Sequence, residues 1–203
     1  MTVILLVLLG ALVIGRLRGG SFERLSRLPL HRAGLVVAAA LLSALGAYGG
    51  RLGLPVQATY VGATVGAAAL VALFVAFNRR LVGVPLVALG FALNAAVIVA
   101  NGAMPVSHLA ARHAGVEIDA VLRGDDAKHE LLTRQSRLRL LADVIAVPLP
   151  GVLRIGSNVV SAGDVVLAAG IGQLVTAGMV GAGLRRRTAW DRVRSLRSSP
   201  APW

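Results

Sequence analysis

The chain has 203 residues, of which 56% are hydrophobic and 15% are charged, with a formal net charge of +12 and no cysteine. A soluble domain of this length is much less apolar, and here the charges are grouped into a few clusters between long apolar segments. The composition therefore predicts an integral membrane protein. The lack of cysteine excludes disulfides, thiolate nucleophiles and cysteine-ligated metals.

The high positive charge could also indicate a nucleic-acid partner. The basic residues, however, flank apolar segments of roughly 17 to 22 residues instead of forming a stripe on a soluble fold. Charge next to membrane spans accounts for them, so we predict no nucleic-acid binding. Lys128 is the only lysine beside many arginines, and Ala, Val, Gly and Leu are abundant. Such usage is typical of GC-rich bacteria, and the predicted location is a bacterial plasma membrane.

Five apolar segments are predicted as membrane-spanning helices. They cover residues 1–17, 33–49, 56–77, 81–100 and 163–184. The predicted fold class is all-α, a single-domain polytopic transmembrane helix bundle with five spans. An outer cap, helical and in part re-entrant, is predicted over residues 101–160, and a basic cytoplasmic tail over residues 185–203.

The arginines predict how the bundle lies in the membrane, because basic residues are enriched in cytoplasmic segments. With the N-terminus outside, the short outer turn holds only Arg51. The inner segments then hold the arginines at positions 16, 18, 24, 27, 32, 79 and 80 and six more in the tail. We therefore predict an N-out, C-in orientation. The expected partners are the lipid bilayer and anionic lipid headgroups at the basic inner segments.

Small and polar residues within the spans predict close helix packing. Gln173 in the fifth span needs a hydrogen-bonding partner in hydrocarbon, so this helix is expected to contact neighbours on two sides. A membrane protein partner or a homo-oligomer stays open as a further partner. The packing residues are Gly62 and Gly66 in the third span and, on one face of the fourth, Gly83, Gly90, Asn94 and Asn101.

The outer segment is predicted to be helical. Ser107 is the expected N-cap of a helix that ends near Gly115. A second, amphipathic helix is expected to start at Asp125 or Asp126. From residue 138 to 147 the sequence is almost wholly apolar but too short to cross, and it ends at VPLPG. We interpret it as a re-entrant or interfacial element.

Asp143 and Asp164 are the strongest candidates for chemistry. Both stand in apolar surroundings at the predicted outer membrane level, and the Pro-Gly turn between them can bring the two carboxylates together. Such a buried pair shares a proton, so that one group activates water and the other donates, as aspartyl hydrolysis requires. We predict these two as catalytic. The residues expected to line the site are Asn94, Asn101, Arg139, Asn158 and Ser161.

A structural role is the alternative for each aspartate. Asp143 can pair with Arg139 at i, i+4, or with Arg154. Asp164 can cap the start of the fifth span, where the helix dipole favours a carboxylate, or it can bind an inward-facing asparagine.

The histidines do not predict a metal site. His129 and Glu130 begin an HExxH pattern, but Thr133 stands where the second histidine is needed. His108 and His113 are five residues apart and do not share a helical face well. We predict no metal and no cofactor.

The chain resembles an uncharacterised bacterial membrane protein family with no assigned activity. The resemblance covers nearly the whole chain and is carried by NGAMPVS, LADVIAVPLP and NVVSAGDVVLAAG, together with the Gly-Gly after the first span. It implies the multi-pass topology and no chemistry.

A more distant resemblance is to lipoprotein signal peptidase, an aspartyl enzyme that cuts prolipoproteins at the outer side of the inner membrane. It is carried by LADVI and SAGD, and it implies that Asp143 and Asp164 are the catalytic pair. Ser161 stands where that family has an asparagine, the GNxxDR signature is missing, and that family has four spans.

Three functions remain open at this level. The first is a non-catalytic partner, sensor or assembly protein with an outward-facing polar site. The second is an intramembrane aspartyl hydrolase that uses Asp143 and Asp164. The third is a small transporter subunit, which is disfavoured because no span carries a charge at mid-membrane depth.

Overall fold

A computed structural model describes residues 2–123, 126, 128–148 and 159–182. The chain is mostly helical. Three helices, α4, α5 and α8, are long and apolar enough to cross a membrane, and α1 and α3 are apolar but shorter. The helices are α1 (Thr2–Leu17), α2 (Phe22–Ser26), α3 (Gly34–Tyr48), α4 (Val56–Asn78), α5 (Val84–Asn101), α6 (His108–Ala114), α7 (Asp119–Leu122) and α8 (Ala162–Val180).

Each of the five predicted apolar segments contains one helix with similar bounds, apart from residues 183 and 184, which lie outside the described residues. α4 packs between α3 and α5, and α8 packs between α5 and α1. The GxxxG pair of α4 contributes unequally to this packing. Gly66 faces Leu42 of α3, whereas a Cβ on Gly62 would meet no atom within 4 Å.

α5 and α8 touch backbone to backbone through glycines spaced seven residues apart on each helix. A Cβ on Gly90 would lie 2.5 Å from the carbonyl oxygen of Gly163 and 2.5 Å from the amide nitrogen of Leu167. Gly83 and Gly170 oppose each other in the same way, two helical turns from the first contact. Only glycine permits so close an approach, and the predicted small-residue face of α5 is confirmed by these contacts.

The opposite side of α8 packs on α1. The hydroxyl of Thr176 donates to the carbonyl oxygen of Ala11 at 3.3 Å, and Gly172 lies against Val7. Gln173 is exposed between the two contact faces, and its side chain has no hydrogen bond within the described part of the chain. The predicted need of Gln173 for a partner in hydrocarbon is therefore not met by these residues.

The bundle has two chemically different ends. At the first, which we call the arginine end, α2 follows α1 and the amide of Ser21 donates to the carbonyl oxygen of Met179 at 3.0 Å. Asn78 at the end of α4 binds the backbone of His31 there. At the other, the cap end, Gln57 at the start of α4 reaches the carbonyl oxygen of Asn101 at 3.5 Å.

The cap end carries short strands, so the all-α prediction is wrong for this part. The chain turns at Gly102, whose φ of 92° is readily adopted only by glycine. The strand β1 (Met104–Val106) pairs in parallel with β2 (His129–Leu131), and β3 (Ile145–Ala146) pairs antiparallel with β4 (Val159–Val160). α6 begins at the predicted N-cap Ser107, whose side chain accepts from the amide of Ala110, and ends at Gly115.

The helix predicted to start at Asp125 or Asp126 is wrong. β1 is buried, and its backbone groups need partners that a helix cannot supply. The chain after Asp126 meets this need with extended backbone: the Met104 amide donates to the Lys128 carbonyl and the Leu132 amide to the Val106 carbonyl. A tertiary requirement has overridden the helical spacing of the leucines.

The apolar run from residue 138 to 147, predicted to be re-entrant or interfacial, pairs with β1 and β4 of the cap. A 3-10 turn spans Arg139–Leu141, where Leu140 is 88% exposed, and extended chain follows. Asp143 then forms a parallel bridge with Val106. Residues 149–158, which include most of the VPLPG turn, lie outside the described residues.

Candidate functional site

Asp143 is held in place by its backbone. Its amide donates to the carbonyl oxygen of Pro105 at 2.9 Å, and its carbonyl oxygen accepts from the amide of Ser107 at 2.9 Å. β1 thus has β2 on one edge and Asp143 on the other. The residue is 5% exposed, so its carboxylate is enclosed at the cap end.

The carboxylate of Asp143 is incompletely satisfied. Its Oδ1 is buried and has no hydrogen-bond partner among the described residues, while its Oδ2 lies 3.9 Å from Nε2 of His129. Burial raises the pKa of Asp143 to about 7 and the charge of Asp164 adds to the rise, although His129 opposes it. The group can therefore change its charge near neutral pH.

Asp126 orients the histidine that faces Asp143. Its Oδ1 accepts from the amides of Lys128 and His129 at 2.8 and 3.3 Å, and its Oδ2 lies 2.8 Å from Nδ1 of His129. Burial raises the pKa of Asp126, but the side-chain and backbone hydrogen bonds from His129 and Lys128 outweigh it and lower the pKa to about 2. An ionised Asp126 thus fixes the imidazole with its other nitrogen towards Asp143.

Asp164 belongs to a second, fully bonded network at the start of α8. Ser161 is the N-cap, and its hydroxyl accepts from the amide of Asp164 while the amide of Ser161 donates to Oδ2 of Asp164, which forms a capping box. Nδ2 of Asn94 donates to Oδ1 of Asp164 at 2.7 Å, and Oδ1 of Asn94 accepts from the Ser161 hydroxyl at 2.8 Å. Both oxygens of Asp164 are therefore occupied, and binding to an inward asparagine is the structural alternative predicted for it.

Asn101 and Arg139, also predicted from the sequence to line the site, form no hydrogen bond or ion pair with Asp143. Asn101 binds the backbone of Arg137 through its Oδ1 and Nδ2, which ties the cap loop to the end of α5. Arg139 and Asp143 form no ion pair, because extended chain after Leu141 removes the helical i, i+4 geometry. Asn158, like Arg154, lies outside the described residues.

A cavity of about 470 Å³, which we call the cap-end cavity, lies between α3, α4 and α5. It is next to the hydrogen bonds that join Asn94 to Asp164 and Ser161. Its wall is mostly small or apolar, with Ala40, Ala44, Phe91 and Leu167 among the lining residues. Polar groups occur along the wall and towards the cap. They are Ser43, Tyr60, Thr64, Asn94 and Lys128.

Sequence reasoning missed His129, Asp126 and Lys128 as one unit. The signal that could have found them is the position of Asp126, because an aspartate side chain commonly forms a turn by accepting from backbone amides two or three residues later. From the sequence, His129 is a candidate only for metal binding, through the incomplete HExxH pattern. The turn instead places its ring against Asp143 and places Lys128 at the cavity.

Three helices long enough to cross a membrane, with a buried polar site at one end of the bundle, indicate a helical membrane protein. The chain belongs to the DUF5317 family, a family of unknown function whose model matches residues 27–176. This confirms the expectation of an uncharacterised family. The matched range includes both predicted catalytic aspartates. No curated protein and no solved structure matches the chain.

Proposed function

We propose that this protein crosses a bacterial plasma membrane five times, with its N-terminus outside and the cap end facing outwards. Two observations support the proposal. α1 and α3 are apolar and pack beside helices long enough to cross, which suits short or locally thinned spans. The arginines that precede and follow α2, with Arg79 and Arg80, gather at the end opposite the cap, as the positive-inside rule requires.

Reporter fusions test this orientation. A periplasm-dependent reporter fused near Gly124 should be active, and the same reporter fused after Arg80 should be inactive, because the two positions then lie on opposite sides of the membrane. Inactivity near Gly124 with activity after Arg80 would reverse the proposed topology.

We further infer that the protein is a non-catalytic binding or sensor protein whose ligand site is the cap-end cavity. The observation that carries this proposal is the state of the polar groups on the cavity wall. Asn94 is saturated by Asp164 and Ser161, and the hydroxyl of Thr64 donates to the carbonyl of Tyr60. Groups already committed to internal hydrogen bonds give the wall a fixed shape and do not act as nucleophile or base.

The cavity fits a small amphiphile with an anionic end. Its volume of about 470 Å³ lies within the usual range for ligand pockets, roughly 300–1,000 Å³, and most of its wall is apolar. Lys128 is the only cation among the described residues that line the cavity, and its amine lies at the cap, 6.0 Å from the ring centroid of Tyr48. A ligand with an aliphatic chain between the helices and a carboxylate at Lys128 would match both the apolar wall and the positive charge.

Photolabelling of the purified full chain tests the site. A photoactivatable long-chain fatty acid should label peptides that contain residues 40–44 and 91–98, and Lys128→Gln should weaken labelling about tenfold, since a charge-assisted hydrogen bond is lost. Arg139→Gln removes the same charge from the cap away from the cavity and should leave labelling within about twofold. Labelling spread evenly over the lipid-facing side of α1, or equal losses in the two variants, would contradict the proposal.

An aspartyl hydrolase is the second candidate, and one observation favours it. Burial, and after it the charge of Asp164, raises the pKa of Asp143 to about 7, so this carboxyl group can hold a proton near neutral pH, as the acid of an aspartyl hydrolase must. This candidate requires that Asp143→Asn and Asp164→Asn each abolish cleavage of a prolipoprotein peptide without lowering the melting temperature. The hydrolase would be excluded if the parent protein showed no measurable cleavage and the two variants only lost stability.

A further inference from the structure

A second cavity, also of about 470 Å³, lies at the arginine end between the α2–α3 loop and the α4–α5 turn. It is remote from the cap-end cavity and shares no lining residue with it. Three of its lining residues are basic or titratable: His31, Arg79 and Arg80. Its apolar wall is formed by Pro29, Ala76, Phe77 and Leu81.

The loop that forms one wall is clamped by a buried asparagine. Asn78 is 2% exposed, and its Oδ1 accepts from the amide of His31 at 2.9 Å while its Nδ2 donates to the carbonyl of His31 at 2.8 Å. The next residue, Arg32, has a φ of 56°, a left-handed conformation that is unfavourable for a residue other than glycine. The guanidinium of Arg32 lies 4.5 Å from the ring centroid of Phe77. The cavity wall is therefore held in a fixed and strained shape.

The positive charge at this cavity is not neutralised by the described residues. The arginine end has one described carboxylate, that of Glu23, and Arg27 binds it at 2.6 Å. The side chains of Arg79 and Arg80 are exposed and form no ion pair or hydrogen bond with the described residues. Two guanidinium groups beside a preformed cavity are the usual arrangement for a phosphate group.

We propose that this cavity binds the phosphate of an anionic phospholipid headgroup. Arg79 and Arg80 supply the charge and His31 a further ring nitrogen. The lipid is favoured over a soluble phosphate compound because Ala76 and Phe77 belong to the last turn of α4, and both are exposed on that helix. A headgroup at the two arginines can thus continue into acyl chains along the apolar surface of α4.

The test is native mass spectrometry of the full chain in detergent, titrated with dioleoyl phosphatidic acid, with dioleoyl phosphatidylcholine or with sodium phosphate. The parent protein should retain one phosphatidic acid in preference to phosphatidylcholine. Arg79→Gln/Arg80→Gln should bind it at least about tenfold more weakly, because two charge-assisted contacts are lost. The matched control, Arg18→Gln/Arg27→Gln, removes the same charge from the same end outside the cavity and should bind within about twofold of the parent.

Three results would overturn the proposal. Equal losses in both double variants would mean that only the general positive charge of this end matters. Equal retention of phosphatidylcholine and phosphatidic acid would exclude recognition of an anionic headgroup. Saturation by sodium phosphate at the same concentration as the lipid would assign the cavity to a soluble phosphate compound. All four exchanged arginines are exposed, so both double variants should keep the parent melting temperature, which is measured in parallel without lipid.

Discussion

Replacement of Gly90 by alanine should lower the melting temperature by roughly 6–12 °C, which corresponds to an overpacking cost of about 3 kcal/mol. The new Cβ would stand 2.5 Å from the carbonyl oxygen of Gly163 and 2.7 Å from the Cβ of Leu167. Backbone cannot yield as a flexible side chain can, so α5 and α8 must separate. Asn94 lies one helical turn after Gly90 on the same face of α5, so the separation would also break its hydrogen bond to Asp164 of α8.

Gly62→Ala is the matched control for this prediction. Gly62 lies in α4, a helix of similar composition, and a Cβ there meets no atom within 4 Å. Alanine should leave the melting temperature unchanged or raise it slightly, because glycine in a helix costs roughly 0.5–1 kcal/mol relative to alanine. Thermal unfolding of the two variants in the same detergent measures the difference. Equal melting temperatures would contradict the close α5–α8 contact.

Asp143→Asn should make the protein more stable at pH 8. The folded-state pKa of Asp143 is raised from 3.8 to about 7, so the folded state favours the protonated acid. That contribution is complete below the unfolded pKa and is lost as the pH rises through about 7. The gain from asparagine should therefore be small near pH 4 and reach at most about 4 kcal/mol at pH 8, at roughly 1.4 kcal/mol per pKa unit.

Asp126→Asn gives the opposite sign and serves as the contrast. The pKa of Asp126 is lowered to about 2, so its ionised form stabilises the fold above a pH of about 4 and this stability is lost as the pH falls towards 2. The amide should thus lower the melting temperature at pH 8, where Asp143→Asn raises it. Melting curves of both variants between pH 4 and pH 8 provide the measurement. A lower melting temperature for Asp143→Asn at pH 8 would show that its charge is needed for folding.

The helices could be predicted from the sequence because apolar length is itself the physical requirement for a span. The spacing of Gly83, Gly90 and Asn94 on one face predicted the small-residue contact surface of α5, and Gly163 and Gly170 lie against it. The GxxxG pair of α4 was less informative, because the same pattern fits an exposed glycine without a neighbouring helix, such as Gly62. A pattern of small residues does not say which of them meets a neighbour.

The cap could not be predicted in the same way. The apolar spacing after Asp126 fits a helix, but the backbone of β1 requires extended neighbours on both edges. Such a demand arises only once Met104–Val106 is buried, and it is not visible in the local sequence. Ser107 and Gly115 were predicted correctly because caps act through their immediate neighbours.

At the candidate site, the bonds of Asp164 could be predicted from the sequence, whereas the partner of Asp143 could not. The capping box at Asp164 is local and follows from the serine three residues before it, and its bond to Asn94 follows from an inward-facing polar residue. The partner of Asp143 is His129, fourteen residues earlier and on a different strand. Asp164 is fully bonded and Asp143 is not, so only Asp143 has an oxygen left for a ligand, a proton or a water.

The most direct test of the proposed binding function is a structure of the full chain in lipid nanodiscs, determined by electron cryomicroscopy near pH 7. Our account predicts elongated non-protein density between α3, α4 and α5, with its polar end within hydrogen-bonding distance of Lys128, and Asp164 still bonded to Asn94. A cavity closed by its own side chains would contradict it. So would a single water held jointly by the carboxylates of Asp143 and Asp164, which is the arrangement of an aspartyl hydrolase.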